Sequence, residues 1–166
     1  MRSPEDLKHH LWKHLASDRT LMLGLETATD DHPRPMTALV DETTGKDQGP
    51  LWIFTAKDTS LARALGTGAQ PALATFVAKN HDLYATIRGR LVIDTDPAVV
   101  ERLWNPFVAA WYPNGKSDPS LELLRFDLDS AEIWETGSSL VTGAKALFGA
   151  DLRRDFADRQ AQVPLS

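Results

Sequence analysis

The chain has 166 residues, 42% of them hydrophobic and 25% charged, with a formal net charge of −5. That length fits one domain of about 100–200 residues, able to bury a core without disulfides or a structural metal. Cysteine is absent and no run of Lys and Arg occurs, which excludes thiolate chemistry, iron–sulfur clusters, cysteine-type zinc sites and a broad nucleic-acid surface.

Residues 1–11 are charged and lack an apolar centre, so no signal peptide is expected. No stretch reaches the ~20 apolar residues of a spanning helix, and the expected location is the cytoplasm, away from membranes. Ser3, Pro4 and Asp6 form a helix-start pattern, and Leu7, Leu11, Trp12 and Leu15 recur at helical spacing behind it. Residues 20–27 (TLMLGLET) have period two. A turn over 30–33 and a second strand over 36–40 complete an expected hairpin. Residues 43–50 read as a loop and 51–55 (LWIFT) as a third strand. A short helix begins near Asp58 or Thr59 and ends at Gly66.

Strands are expected over 72–78 and 83–93, joined by a turn at 79–82. A helix over 96–104 has Pro97 in its first turn. The aromatic, turn-rich segment 104–119 follows, then a strand over 123–134 and a short helix over 140–148. Residues 1–150 are expected to form the single domain, and residues 151–166, sparse in apolar side chains, a loosely held tail. Six short strands with helices at the edges point to a small antiparallel β-barrel, mostly β with peripheral helices.

Several constellations bear on chemistry. His10 and His14 lie four apart on the first helix, a spacing that can chelate a metal, but no third ligand is near and a solvated helix face is expected. His81 and Asp82 read as turn residues. No nucleophile elbow, Walker loop or dinucleotide fingerprint occurs. The strand–turn–helix at 51–65 carries Thr55, Lys57, Thr59 and Ser60. It reads either as a cradle for an anion at a helix start or as a plain N-cap with solvated hydroxyls. Arg34 opens the strand RPMTALV, where a rim charge is the ordinary reading. The tryptophans Trp104, Trp111 and Trp134 suit a core, an interface or the wall of a flat heterocycle.

Taken in order, DRTLMLGLE, RPMTA, LWIFTAKDTSL, DLYATIRGRL, the long segment 96–126 and AEIW resemble the general stress protein branch of the pyridoxamine 5′-phosphate oxidase-like, flavin-binding split-barrel superfamily. The resemblance runs from the first helix to about Gly149. It implies a six-stranded antiparallel split β-barrel, a homodimer with FMN at the subunit interface, and FAD as the alternative through the same phosphate pocket. Carried over residue by residue, it places Arg34, Met36 and Thr37 along the flavin edge. Phe54, Thr55, Lys57, Thr59 and Ser60 fall at its phosphate, and Tyr84 near the ring. Trp134 and Trp111 would close the site from the partner subunit.

The chain departs from the oxidases of that superfamily. Their substrate-contacting lysine falls on Leu39, their basic phosphate ligands on Ser60 and Leu61, and their C-terminal arginines on Leu140 and Ala144. The resemblance therefore implies a flavin-binding stress protein with a redox role, a candidate flavin-dependent oxidoreductase without pyridoxamine phosphate oxidase activity. No catalytic residue and no metal is assigned. The rival readings are a non-enzymatic flavin sensor or reservoir, a deazaflavin-dependent reductase, and an interaction module without cofactor.

Overall fold

The computed structural model describes residues 2–27, 32–136 and 159–166. Helix α1 spans Pro4–Asp18. Its start is a reciprocal cap: the Ser3 hydroxyl accepts from the Asp6 N–H at 3.1 Å, and the Asp6 carboxylate accepts from the Ser3 N–H at 3.0 Å. Leu7, Leu11, Trp12 and Leu15 are buried, as their spacing predicts.

Strands β1 (Thr20–Leu25) and β2 (Arg34–Thr37) pair antiparallel, Thr20 opposite Thr37 and Leu23 opposite Arg34. This is the expected hairpin, whose turn lies partly outside the described residues. The second expected strand is broken at Ala38, and its remainder forms β3 (Leu39–Val40). Then come β4 (Leu51–Ala56), helix α2 (Ser60–Leu65), β5 (Gln70–Val77) and β6 (Leu83–Ile93). Helices α3 (Pro97–Leu103) and α4 (Pro106–Ala109) precede the long β7 (Leu121–Glu135) and β8 (Gln160–Pro164).

The sheet order is β2-β1-β5-β6-β7-β4-β3, with β8 added on β7. Its two ends, β2 and β3, are consecutive in the chain and separated by Ala38 alone. A flat sheet cannot place its opposite edges one residue apart, so the sheet is curled into a barrel that stays split between β2 and β4. Ala38 is fully packed, and its N–H donates to the Arg19 carbonyl at 2.7 Å.

β8 is a correction. The loosely held tail expected from Asp151 ends in a strand whose Val163, with Leu165 just beyond it, is buried in the core. Two apolar residues at period two suffice when a neighbouring strand offers a free edge, and β7 does. The helix expected over 140–148 lies outside the described residues.

The hydrophobic residues form two cores. One fills the barrel and is capped by α1, with Leu11, Leu23, Ile53, Phe76, Ile87 and Phe126 at its centre. The other joins α3 and α4 to the outer face of the sheet through Leu39, Trp52, Val99, Val108, Tyr112 and Leu123. This second core is what fixes the aromatic segment 104–119 against β4.

Candidate functional site

The split in the barrel leaves a cavity of about 430 Å³, within the ordinary range of small-molecule sites. Pro35, Met36 and Thr37 of β2 and Leu39 of β3 form one side. Phe54, Thr55 and Ala56 of β4, with Thr59, form the floor, and Phe107, Val108, Trp111 and Tyr112 form the opposite wall.

Each wall has a local cause. Because the Ala38 N–H bonds to the Arg19 carbonyl just ahead of β1, strand alternation turns Arg34 and Met36 the same way and directs the Thr37 N–H and the carbonyls of Pro35 and Thr37 away from β1. An edge strand thus presents one donor between two acceptors to the split. On the opposite wall, the Asn105 side chain caps α4 by accepting from the N–H groups of Phe107 and Val108 at 3.0 and 3.1 Å. The helix brings Phe107 and Trp111, each 82% exposed, to the cavity mouth.

Tyr112 ties this wall to the floor. Its buried hydroxyl donates to the Thr55 carbonyl at 2.6 Å. Burial, reinforced by the negative charge of Asp118, pushes its ionisation up to about 12. Asp118 itself is held below the usual carboxylate range by hydrogen bonds from Ser120 and Asn114. The Tyr112 ring completes a three-ring cluster, with Trp104 edge-on to Phe54 at 6.0 Å and Tyr112 6.0 Å from Trp104.

Farther out, Arg102 of α3 clamps the buried Asp41 at the end of β3, with a closest approach of 2.5 Å. The guanidinium, helped by Thr43, holds the Asp41 ionisation down to about 2, against 3.8 for a free side chain. A lowered folded-state value means stability that is fully present above about pH 4 and lost as pH falls toward 2. Arg102→Ala is therefore expected to lower the urea midpoint at pH 7 and to flatten its fall between pH 4 and 2. Equal acid slopes in the two proteins would show that this pair does not carry the effect.

Of the residues singled out from the sequence, Met36, Thr37, Phe54, Thr55, Thr59 and Trp111 meet at the cavity. Trp111 lies on the wall of its own chain's cavity. Arg34 stands beside the lining, where its guanidinium donates to the His32 carbonyl at 3.3 Å. Lys57 and Ser60 are exposed and lie outside the lining. Tyr84 and Trp134 face each other across β6 and β7, at the opposite end of β7 from Leu123, the partner of Phe54.

The Thr59 hydroxyl serves as an N-cap, accepting from the Ala62 N–H at 3.2 Å and donating to the Ala56 carbonyl at 2.9 Å. The plain-cap alternative thus describes Thr59. Phe107, Val108 and Tyr112 were not foreseen; the four-residue interval from Phe107 to Trp111 was the available signal.

The histidines of α1 are engaged with carboxylates rather than simply solvated. His9 meets Asp47 at 2.8 Å, His10 meets Glu135 at 3.1 Å, and His14 sits 3.7 Å from both Asp18 and Asp82. Among the described residues no group of three or more His, Asp or Glu side chains is placed to hold a metal. No helix among them is long and apolar enough to cross a membrane.

A curled antiparallel sheet with a cavity at its split, walled by a helical aromatic segment, is a split barrel of the flavin-binding type of architecture. The chain belongs to the pyridoxamine 5′-phosphate oxidase-like family, whose model matches residues 6–153. It is 53% identical to a general stress family protein of Xanthomonas campestris pv. campestris, covering 84% of this chain and 93% of that one, with a TM-score of 0.76. It is 52% identical to the general stress FMN/FAD binding protein of Xanthomonas citri, covering 81% and 92%, with a TM-score of 0.75. A general stress protein 26 of Jannaschia sp. CCS1 shares 28% identity over 98% of this chain and 99% of that one, with a TM-score of 0.79. No curated protein matches the chain.

Proposed function

We propose that this cavity is a flavin site and that the chain is a flavin-binding member of the general stress branch, with FMN as its ligand and FAD as the alternative. The observation that carries the reading is the pairing of a flat, aromatic-walled slot with the outward edge of β2. A flavin ring presents one N–H between two carbonyls; shifted by one place along this edge, its N–H would donate to a β2 carbonyl and one of its carbonyls would accept from the Thr37 N–H. The 52% identical Xanthomonas citri protein, an FMN/FAD binding protein, supports it.

When bound, the flavin supplies hydride and electron transfer. The chain's own residues position the ring and exclude water: Met36, Phe54 and Val108 pack around it, and Phe107 and Trp111 fold over its exposed side. We infer also that two copies associate over this face, since Phe107 and Trp111 are the most exposed large apolar side chains among the described residues. In that arrangement Tyr84 and Trp134 reach a flavin only from the partner subunit.

A second reading keeps the flavin and drops the turnover. Tyr112 is the one titratable side chain in the lining, and its proton is directed to the Thr55 carbonyl. With no group there to move a proton near neutral pH, storage or sensing of the cofactor fits as well as a redox enzyme.

Purified protein mixed with excess FMN and desalted is expected to keep the visible flavin bands and to run in light scattering at twice the 18.4 kDa chain mass. A colourless product would overturn the flavin reading. Anaerobic addition of NADH or NADPH then separates the two roles: bleaching identifies a reductase, and a flavin that stays oxidised identifies a reservoir or sensor.

A further inference from the structure

We propose that Arg102 and Asp41 are positioning residues of this site: their ion pair braces the two walls of the cavity and sets the width of the slot between them. The inference takes its ligand from the flavin reading above. Its geometry rests on contacts within one chain.

The pair joins the elements that carry opposite walls. Asp41 follows β3 directly and stands two residues beyond Leu39, which lines one side. Arg102 lies in the last turn of α3, three residues before Asn105, the cap of α4, which brings Phe107 and Val108 to the other side. The Arg102 guanidinium donates through Nε to the two Asp41 oxygens at 3.2 and 3.1 Å, and through Nη2 to one of them at 2.5 Å.

Both members are fixed from behind. The Asp41 carboxylate is buried and also accepts from the N–H and the hydroxyl of Thr43, at 3.1 and 2.7 Å. It cannot turn without uncapping the helical turn that follows it. On the other side, the Asn105 amide donates to the Leu103 carbonyl at 3.2 Å while its oxygen caps α4, so a displacement of α3 is passed on to α4. Beyond α4, the Tyr112 hydroxyl holds the segment to the Thr55 carbonyl. The wall is thus tied at both ends, to the β3 side by Arg102 and to the floor by Tyr112.

A buried ion pair often adds little net stability over apolar residues of similar volume, and can instead select one arrangement. Here a planar fork on a fixed carboxylate selects the distance between β3 and α3. Leu39 and Val99 fill the same gap in the second core, but apolar packing tolerates small shifts that the fork does not. A second copy lying over Phe107 and Trp111 would add groups to the site and leave this spacing to be set inside each chain.

The test uses two variants of the full chain. Arg102→Lys keeps the charge and loses the fork. Asp41→Asn combined with Arg102→Met removes both charges together, so no buried carboxylate is left unpaired, and the amide oxygen can still cap the Thr43 N–H. In both, the dissociation constant for FMN in a fluorescence titration is expected to rise roughly three- to thirtyfold. In the double variant that rise is expected while the urea midpoint stays near the parent's, which a merely stabilising pair would not produce. In the ligand-free proteins, hydrogen exchange at the Ala109 and Trp111 amides of the wall is expected to quicken in both variants, while the amides of α1 keep the parent's rates.

FMN affinity within about twofold of the parent in both variants, with unchanged exchange at those amides, would overturn the brace and leave the flavin reading standing. A parent that binds no FMN would overturn the flavin reading, and the exchange rates would still decide the brace: quickened exchange supports it and unchanged exchange overturns it.

Discussion

Gly89→Ala is expected to destabilise the protein by about 3 kcal/mol, near the upper end of overpacking effects, and to lower its melting temperature by roughly 6–12 °C. The cause lies in the sheet. The β6–β7 register shifts between Arg88 and Gly89, whose partners are Ser130 and Leu128, so β7 carries a bulge there with Asp129 as the extra residue. A Cβ at position 89 would press into the Asp127 carbonyl oxygen and stand 2.8 Å from the Phe126 ring. Phe126 is fully buried, and the carbonyl is backbone, so neither can yield cheaply.

The bulge adds local twist where the two longest strands of the barrel pair, in keeping with a sheet curled enough for its two ends, β2 and β3, to be consecutive in the chain. Thermal unfolding checks the prediction, and a variant melting within 2 °C of the parent would show that the sheet has slack here.

Much of this architecture is legible along the chain wherever its cause is local. Ser3, Asp96 and Thr59 cap their helices because a short polar side chain beside free N–H groups is a contact between near neighbours. The alternation of β1, β6 and β7 is legible because one face of each is buried. The break at Ala38 is not, since residues 36–40 carry no Gly, Pro or turn residue and read as one strand while the chain passes from one sheet edge to the other. β8 escapes for a related reason: Val163 and Leu165 gain their burial from the free edge of β7, which no local pattern announces.

The site divides in the same way. Thr37, Phe54 and Thr55 sit in strands whose order the resemblance supplies, and the fold brings them together. Tyr112 was missed because its burial depends on α4 folding back over β4, a contact across 57 residues of chain. Tyr84 and Trp134 were assigned by matching strands, which says nothing about how far along β7 they fall.

Tyr112 carries the other large expected effect. Tyr112→Ala is expected to cost about 3–5 kcal/mol of stability, the range for emptying a buried aromatic site. The ring is 5% exposed and packs against both Trp104 and Phe54. Its removal would join the vacated space to the cavity and let the segment carrying Phe107 and Trp111 drift from β4. Flavin affinity is then expected to fall more than tenfold, because a ring held between two walls loses contact with one of them.

Tyr112→Phe separates the hydroxyl from the ring. It leaves the Thr55 carbonyl without its side-chain partner, at about 1–2 kcal/mol, while the cavity keeps its shape. In urea melts the two variants should therefore rank alanine well below phenylalanine. In flavin titrations phenylalanine should stay within a few-fold of the parent. Should phenylalanine lose the flavin as completely as alanine does, the wall would be held by the 2.6 Å hydrogen bond and not by packing, and the hydroxyl of Tyr112 would be the residue's working part.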